Sequence, residues 1–270
     1  MSTSVSDELV ELEAGVLGVV TDIHGNPYAL EAVLSHGAQR GVERWLVLGD
    51  VVAMGPEPGW VMDQLTEVDV VAFVTGNTER YVVSGDRPGA TFEEVVADPT
   101  LLPRLVELAE TFSWTKGYLQ GAGSLDALRT FVPNVQFRFP DGTRALAVHA
   151  SLVADDGDGI TPELDEATAT TLFPACDADI VFGGHTHRAT DLTLGGTRYV
   201  NPGSASNHPE PHVWASYSIV RLGDRDHNIE HHQVPYDKQL VVDSMKRSGM
   251  PGSDFLIRRY FSTDPSQAAS

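Results

Sequence analysis

Cysteine is nearly absent from the chain, since Cys176 is the single thiol among 270 residues. One cysteine cannot form an internal disulfide, and such sparse use of cysteine suits a reducing compartment. The chain also lacks a hydrophobic run long enough to cross a bilayer, and residues 1–13 are acidic without the apolar segment of a signal peptide. These absences predict a soluble, cytoplasmic protein without a membrane partner.

Basic residues are scarce as well, because 18 lysine and arginine residues stand against 38 aspartate and glutamate residues, a formal net charge of −20. No stretch resembles the basic stripe that displaces counterions from nucleic acid, which argues against general nucleic-acid binding. An anionic small molecule is not excluded, because exposed charges are screened beyond about 8 Å at physiological ionic strength. A metal cluster at the bottom of a cleft would dominate the local field.

The chain shows neither internal repeats nor a low-complexity linker, so we predict one domain over residues 15–248. Residues 1–14 are interpreted as an N-terminal extension and residues 249–270 as a polar C-terminal tail. A helical segment at about 90–120, broken near Pro99 and Pro103, interrupts the alternation of strands and helices. It is predicted to be an insertion that caps one end of the sheet.

Polar side chains follow the predicted strands at the points where those strands end. The buried apolar run 16–20 leads to Asp22 and His24, just before a helix predicted at 27–40. The side chains placed in this way are, in chain order, Asp22, His24, Asp50, Asn77, His149, His185 and His187. Open α/β sheets bind ligands outside the carboxyl ends of their strands, so these side chains are expected to meet in one site.

These seven side chains form an oxygen and nitrogen ligand set without a thiolate. The set suits Mn²⁺, Fe or Zn²⁺, with Ni²⁺ also compatible, and it contains too many imidazoles for Ca²⁺ or Mg²⁺. It is too large for one ion and fits two ions that share a carboxylate. Asp50, the lone acid on the central strand, is the natural bridge. Two ions about 3.5–4 Å apart can clamp the attacking and leaving oxygens of a phosphoryl displacement.

The order of these motifs resembles that of the calcineurin-like metallophosphoesterases. The residues that carry the resemblance are Asp22-x-His24, Gly49-Asp50, Gly76-Asn77, His149, Gly184-His185-Thr186-His187 and Asn201-Pro202-Gly203-Ser204. They span nearly the whole chain and resemble most a subgroup of small bacterial and archaeal cytosolic phosphoesterases. The fold implied by this resemblance is a four-layer α-β-β-α sandwich of two mixed sheets.

The resemblance also implies how two metal ions would be held and what reaction they would support. One ion would bind Asp22, His24, Asp50 and His187, and the other would bind Asp50, Asn77, His149 and His185. Mn²⁺ is the favoured metal. The implied reaction is hydrolysis of phosphodiester or phosphoanhydride bonds of small or nucleotide-like substrates by a metal-activated hydroxide, with Asp50, Asn77 and His149 as catalytic residues.

One position departs from the family pattern. A histidine usually follows the Gly-Asn pair and serves as general acid, whereas here Thr78 and then Glu79 follow it. Threonine cannot supply a proton near neutral pH, which favours leaving groups that depart as stable anions. Phosphodiesterase activity is therefore favoured over phosphomonoesterase or protein serine/threonine phosphatase activity. A non-catalytic scaffold of the same fold is the remaining alternative.

Three further residues are candidates for contacting a phosphorylated small-molecule substrate: Asn26, Arg80 and His208. Asn26 is also suited to cap the following helix, and an ordinary salt bridge is an equal alternative for Arg80. His208 lies in a loop rich in proline, where a solvated histidine is the competing interpretation.

Overall fold

In the computed structural model, which describes residues 9–208 and 214–261, the strands form two mixed sheets. The strands are β1 Leu9–Glu11, β2 Gly15–Val20, β3 Arg44–Val47, β4 Val70–Phe73, β5 Asn134–Arg138, β6 Arg144–Val148, β7 Ile180–Phe182, β8 Thr190–Leu194, β9 Thr197–Asn201, β10 Ala215–Leu222 and β11 His227–Val234. The α-helices are α1 Pro27–Gln39, α2 Pro58–Thr66, α3 Asn77–Ser84, α4 Phe92–Ala97, α5 Leu102–Ala122, α6 Glu166–Leu172, α7 Lys238–Ser248 and α8 Ser253–Leu256. Short 3₁₀ turns cover Pro99–Leu101 and Leu125–Thr130, and a π-helical turn covers Ile257–Phe261.

Parallel pairing brings the ends of the site-bearing strands together. The five-stranded sheet has the order β11-β10-β2-β3-β4, in which β2, β3 and β4 run parallel. The six-stranded sheet has the order β1-β5-β6-β7-β9-β8, in which β6 and β7 are parallel and the hairpins β5–β6 and β8–β9 are antiparallel. Carboxyl ends of parallel strands meet at one edge of a sheet. The residues that follow β2, β3 and β4 are therefore neighbours, as are those that follow β6 and β7.

Three hydrophobic clusters show how sheets and helices are layered. Leu17 and Val19 of β2 pack with Phe137 of β5 and Phe182 of β7, so the two sheets face each other. Residues on the other face of the five-stranded sheet pack against α1, α2, α5 and α7. The outer face of the six-stranded sheet packs against α6 and the loop before it. The order of layers is helix, sheet, sheet, helix, which confirms the predicted fold class.

Helix α1 starts directly after the strand end that carries Asp22 and His24. Oδ1 of Asn26 accepts a hydrogen bond from the N–H of Ala29 at 3.1 Å and so caps the helix. Pro27 occupies the first helical turn, where its missing N–H has no partner to lose. The sequence therefore places a rigid helix start immediately behind the first predicted ligand motif.

Some elements were not expected from the sequence. Leu9–Glu11 pairs in parallel with β5 as an edge strand of the six-stranded sheet. Asn77–Ser84 forms a helix, so Asn77 stands in a first helical turn. Ser253–Leu256 and Ile257–Phe261 form a helical segment where the sequence predicted a polar tail. The rest of the predicted extension, residues 1–8, and of the predicted tail, residues 262–270, lies outside the described residues.

The helical segment predicted near residues 90–120 is present as α4 and α5, with the 3₁₀ turn at Pro99–Leu101 between them. Thr91 caps α4 by accepting a hydrogen bond from the N–H of Glu94 at 3.2 Å, while the Glu94 carboxylate accepts from the N–H of Thr91 at 2.8 Å.

Within the described part of the chain, no helix combines the length and the apolar character needed to span a bilayer.

Candidate metal centre

The structure brings all seven predicted ligand side chains into one cleft between the carboxyl ends of the two sheets. Asp22 and His24 follow β2, Asp50 follows β3, Asn77 opens α3, His149 follows β6, and His185 and His187 follow β7. The first four come from the five-stranded sheet and the last three from the six-stranded sheet. The site is therefore built only when the two sheets are packed together.

One group of ligands surrounds Asp22. Nε2 of His187 lies 3.1 Å from Oδ1 of Asp22 and 3.1 Å from Nε2 of His24. Nε2 of His24 is 3.8 Å from the same Asp22 oxygen. The three side chains thus direct one atom each toward a common point.

A second group surrounds Asn77. Oδ1 of Asn77 lies 3.1 Å from Nε2 of His149 and 2.9 Å from Nδ1 of His185. Asp50 lies between the two groups, because its Oδ2 is 3.8 Å from Nε2 of His24 and its Oδ1 is 3.4 Å from Nε2 of His149. The carboxylate therefore turns one oxygen toward each group.

Most of the ligands stand on an unusual backbone. Asp22, His24, Asp50, His185 and His187 have φ between 51° and 65°, in the left-handed region that residues with side chains rarely adopt. They are five of the eight non-glycine residues with positive φ in the described chain. Such conformations cost about 1–3 kcal/mol each and cluster at functional sites. The strain is concentrated where the chain turns its ligands over the strand ends.

Hydrogen bonds to carbonyl oxygens determine which ring nitrogen of three histidines faces the centre. These bonds join His149 Nδ1 to Leu48 O at 2.6 Å, His187 Nδ1 to Asn207 O, and His185 Nε2 to Gly157 O at 3.0 Å. A neutral imidazole carries one N–H, so the opposite nitrogen of each ring offers a lone pair toward the other ligands. Metal-binding histidines are typically oriented by such bonds.

Burial and mutual attraction perturb the acid–base behaviour of the ligands. Burial opposes charge on His149, but the Asp50 carboxylate, together with Asp22 and the Leu48 carbonyl, outweighs burial and raises the pKa of His149 to about 10. Burial likewise opposes charge on His187, and Asp22 raises the pKa of His187 above its usual value. For His24 burial dominates and lowers the pKa to about 4. Without a metal, a protonated His149 therefore offsets part of the charge of the two buried carboxylates.

The chemistry of this donor set fits divalent transition metals. Oδ1 of Asp22 is buried and accepts no well-directed hydrogen bond. The ligand atoms of Asp22, His24 and His187 all lie within 4.8 Å of one another, and so do those of Asp22, Asp50 and His149. Buried lone pairs that converge in this way are costly unless a proton or a cation lies among them. These residues could therefore hold metal ions.

Glu79 is a buried residue of the site whose role the sequence did not reveal. Its side chain is 1% exposed and accepts four backbone N–H groups. The donors are Asp50 N at 2.8 Å, Val51 N at 2.9 Å, Gly76 N at 2.9 Å and Val52 N at 3.2 Å. Burial and the nearby Asp50 charge raise the pKa of Glu79 to about 7, while its N–H donors act in the opposite direction. The carboxylate ties the loop after β3 to the start of α3.

The three predicted substrate residues are all engaged inside the protein. Asn26 is fully buried, and its Nδ2 donates to Ser206 Oγ at 2.9 Å while its Oδ1 caps α1. Nε2 of His208 lies 3.1 Å from Ser216 Oγ, and burial lowers the pKa of His208 to about 4. Their contact with a substrate stays a prediction.

Arg80 forms the salt bridge that was the alternative to substrate binding. Its Nε and Nη2 bind the two oxygens of Asp155 at 2.7 and 2.8 Å, and Nη2 also binds Asp156 at 2.6 Å. The bond to Asp155 raises the pKa of Arg80 far above its usual value. The Nε and Nη2 groups of Arg80 therefore already have carboxylate partners.

A cavity of about 370 Å³ opens over the ligands. The lining residues His24, Asp50 and Asn77 are called its floor. Arg104 of α5 and Tyr260 of the π-helical turn also line the cavity and are called its far wall. Arg259, beside Tyr260, also lines this wall. The wall was not predicted from the sequence, because no local motif marks Arg104 and because residues 249–270 were interpreted as a tail.

The chain belongs to the calcineurin-like phosphoesterase superfamily, since the model of that superfamily's domain matches residues 16–225. The resemblance seen in the sequence is therefore confirmed. An uncharacterised protein of Methanocaldococcus jannaschii is 26% identical over an alignment of 270 positions. The alignment covers 91% of this chain and 97% of that protein.

Solved structures share the fold. A hypothetical protein from Pyrococcus horikoshii OT3 superposes with a TM-score of 0.74 at 20% identity, over 92% of this chain and 98% of the other. A metallophosphoesterase from Sphaerobacter thermophilus superposes with a TM-score of 0.67 at 24% identity, again over 92% of this chain and 98% of the other. At these identities the likeness establishes the architecture.

The Glu79 network predicts that Glu79→Gln weakens metal binding. An amide nitrogen in place of one carboxylate oxygen would face two N–H donors, so the loop that presents Asp50 should shift. We expect a loss of about 10–100-fold in metal affinity, measured by calorimetric titration. Glu94→Gln is the matched control, because Glu94, like Glu79, accepts the N–H of the residue three positions earlier but lies on exposed α4. Equal metal affinities for the two variants would contradict this role of Glu79.

The raised pKa of His149 predicts that metal binding releases protons. Since that pKa is about 10 without metal, the ring is protonated near neutral pH and must lose a proton to become a ligand. Metal affinity should therefore rise with pH between about 7 and 10. Calorimetry in buffers of different ionisation enthalpy measures the proton count. A binding enthalpy that is the same in all buffers would refute the prediction.

Proposed function

We propose that the protein is a binuclear metal-dependent phosphoesterase that hydrolyses phosphodiester or phosphoanhydride bonds. The observation that carries this proposal is the position of Asp50 between two groups of ligands. Its two oxygens lie 3.8 Å from His24 Nε2 and 3.4 Å from His149 Nε2. A carboxylate that offers one oxygen to each group suits a ligand shared by two ions.

In this proposal each group of ligands holds one ion. The first site consists of Asp22, His24, Asp50 and His187, and the second consists of Asp50, Asn77, His149 and His185. Mn²⁺ is favoured, and Fe, Zn²⁺ and Ni²⁺ are alternatives, because all donors are oxygen or nitrogen. When bound, two such ions would acidify a water toward a pKa of about 7 and stabilise charge on the attacking and leaving oxygens.

The residues also support binding of an anionic substrate in spite of the net charge of −20. Asp22 and Asp50 are the carboxylates among the seven ligands, so two divalent ions would leave the cleft with a net positive charge. Surface carboxylates act over a distance of only about 8 Å at physiological ionic strength. The field at the bottom of the cleft would therefore attract phosphate.

The surroundings of Thr78 favour substrates with stable leaving groups. The Thr78 side chain is buried, its Oγ1 donates to Val52 O at 3.1 Å, and its backbone N–H donates to Asp50 Oδ1 at 2.9 Å. The hydroxyl is thus engaged in holding the loop rather than poised to protonate a leaving group. Aryl phosphodiesters and phosphoanhydrides release stable anions as the water oxygen bonds to phosphorus, whereas alkyl monoesters require a proton.

The proposal predicts that Asp50→Ala loses both ions. Elemental analysis should find two ions per chain in the wild type and close to none in the variant, with hydrolysis of bis(4-nitrophenyl) phosphate reduced to background. Asp126→Ala is the control, because Asp126 is exposed and pairs only with Arg129 among its described ion pairs. A variant that keeps two ions would show that Asp50 is not shared. A metal-loaded wild type that cleaves no phosphoester would favour the scaffold alternative.

The Thr78 environment predicts a steep dependence of rate on leaving-group pKa. Thr78→His should flatten this dependence by helping poor leaving groups most, because a general acid contributes about 10²–10⁴-fold. Rates for a series of aryl and alkyl phosphodiesters and monoesters measure the slope. His208→Ala should leave the wild-type slope unchanged. A shallow wild-type slope that becomes steep in His208→Ala would move the acid to His208 and overturn the account of Thr78.

A further inference from the structure

The cavity over the metal ligands has a second wall whose chemistry differs from that of its floor. The floor is formed by the Asp50 carboxylate together with imidazoles and an amide, whereas the far wall contributes Arg104 and Arg259. Apolar side chains of Met54, Leu108 and Phe112 line the space as well. The volume of about 370 Å³ falls within the range of about 300–1,000 Å³ typical of ligand pockets.

Both arginines lie close to aromatic rings of the C-terminal helical segment. The guanidinium carbon of Arg104 lies 3.7 Å from the centroid of the Phe255 ring, and that of Arg259 lies 5.4 Å from the centroid of the Tyr260 ring. A ring covers a face of the guanidinium plane, but the N–H groups point outward within that plane. At Arg104 the short distance to Phe255 is compatible with such stacking. Nη1 of Arg104 donates to the Glu107 carboxylate at 2.9 Å, so phosphate oxygens would bind the other N–H groups at the guanidinium edge.

The wall is held against the rest of the cavity by specific contacts. Oγ1 of Thr111 in α5 donates to Pro251 O at 3.0 Å, which joins α5 to the segment before α8. A Cβ at Gly252 would lie 2.7 Å from Thr111 Oγ1, so α5 and the segment before α8 approach as closely as glycine allows. The rings of Tyr81 in α3 and Phe112 in α5 meet edge to face at 5.3 Å.

Tyr260 lines the same cavity as the two arginines and the predicted ligands. Burial raises the pKa of Tyr260, the Asp22 charge raises it further, and the charges of Arg259 and Arg104 lower it. Only 18 of the 270 residues are lysine or arginine, so two guanidinium groups on one cavity wall are a marked concentration of positive charge.

We propose that Arg104 and Arg259 bind a second phosphate of the substrate, apart from the phosphate that is cleaved at the metal ligands. This inference rests on the proposed function, because that function assigns the cleaved phosphate to the cavity floor. The substrate class is then an organic molecule with two phosphate groups, whose remaining part packs on Met54, Leu108 and Phe112.

Binding of two nucleotide analogues to the metal-loaded, full-length protein tests the proposal. The phosphonate analogue of AMP has one phosphorus group, and α,β-methylene-ADP has two. Calorimetry should show that the wild type binds α,β-methylene-ADP at least about tenfold more tightly, as charge-assisted bonds to a second phosphate predict. Arg104→Gln and Arg259→Gln should each reduce this preference severalfold, and the double variant should abolish it.

Arg129→Gln is the matched control, because Arg129 and Arg104 each form an ion pair with an acidic residue three positions away, and Arg129 lies outside the cavity. It should retain the wild-type preference. Metal content measured on every variant confirms that the floor is intact. Unchanged preference in the double variant, or an equal loss of affinity for both analogues, would overturn the proposal. Absence of hydrolysis by the wild type would refute the proposed function alone, since the binding comparison does not depend on turnover.

Discussion

The burial of the Asp50 carboxylate is the constraint on which the rest of the site depends. A buried ionised carboxylate costs several kcal/mol unless its oxygens and its surroundings compensate for lost water. The N–H of Thr78 and the ring of His149 approach one oxygen, at 2.9 and 3.4 Å, and His24 approaches the other at 3.8 Å. These partners come from β2, α3 and β6, so the compensation exists only when both sheets are assembled.

Close approach of the backbone follows from that constraint. A Cβ at Gly76 would lie 2.2 Å from Oδ1 of Asp50, so a larger residue there would displace the carboxylate. Glu79, three residues later, accepts the N–H groups of both Gly76 and Asp50. The start of α3 and the loop after β3 are therefore one hydrogen-bonded unit, and the parallel pairing of β3 and β4 sets the distance between them.

The sequence was sufficient to predict the layer order and the polar side chains that the fold brings together, but not the groups that hold those side chains in place. Asp22, Asp50 and His149 each follow an apolar strand, and strand ends can be recognised from local patterns. The four donors of Glu79 and the position of Arg104 depend on contacts between segments that are far apart in the chain. Leu9–Glu11 was missed for a similar reason, because a strand of three residues at an edge has too little periodicity to be recognised.

The described fold separates the predicted metal ligands from the other residues that line the cavity. The ligands stand on strand ends of the sandwich, where strained backbone and buried hydrogen bonds fix their positions. Arg104 and Tyr260 belong to α5 and to the turn after α8, and the latter lies beyond residues 16–225 that match the superfamily's domain. Substitutions on that wall can alter which molecules fit while the Asp50 network remains intact. Under the proposed function, reaction chemistry would thus be set by the sandwich and substrate choice by the helices that cover it.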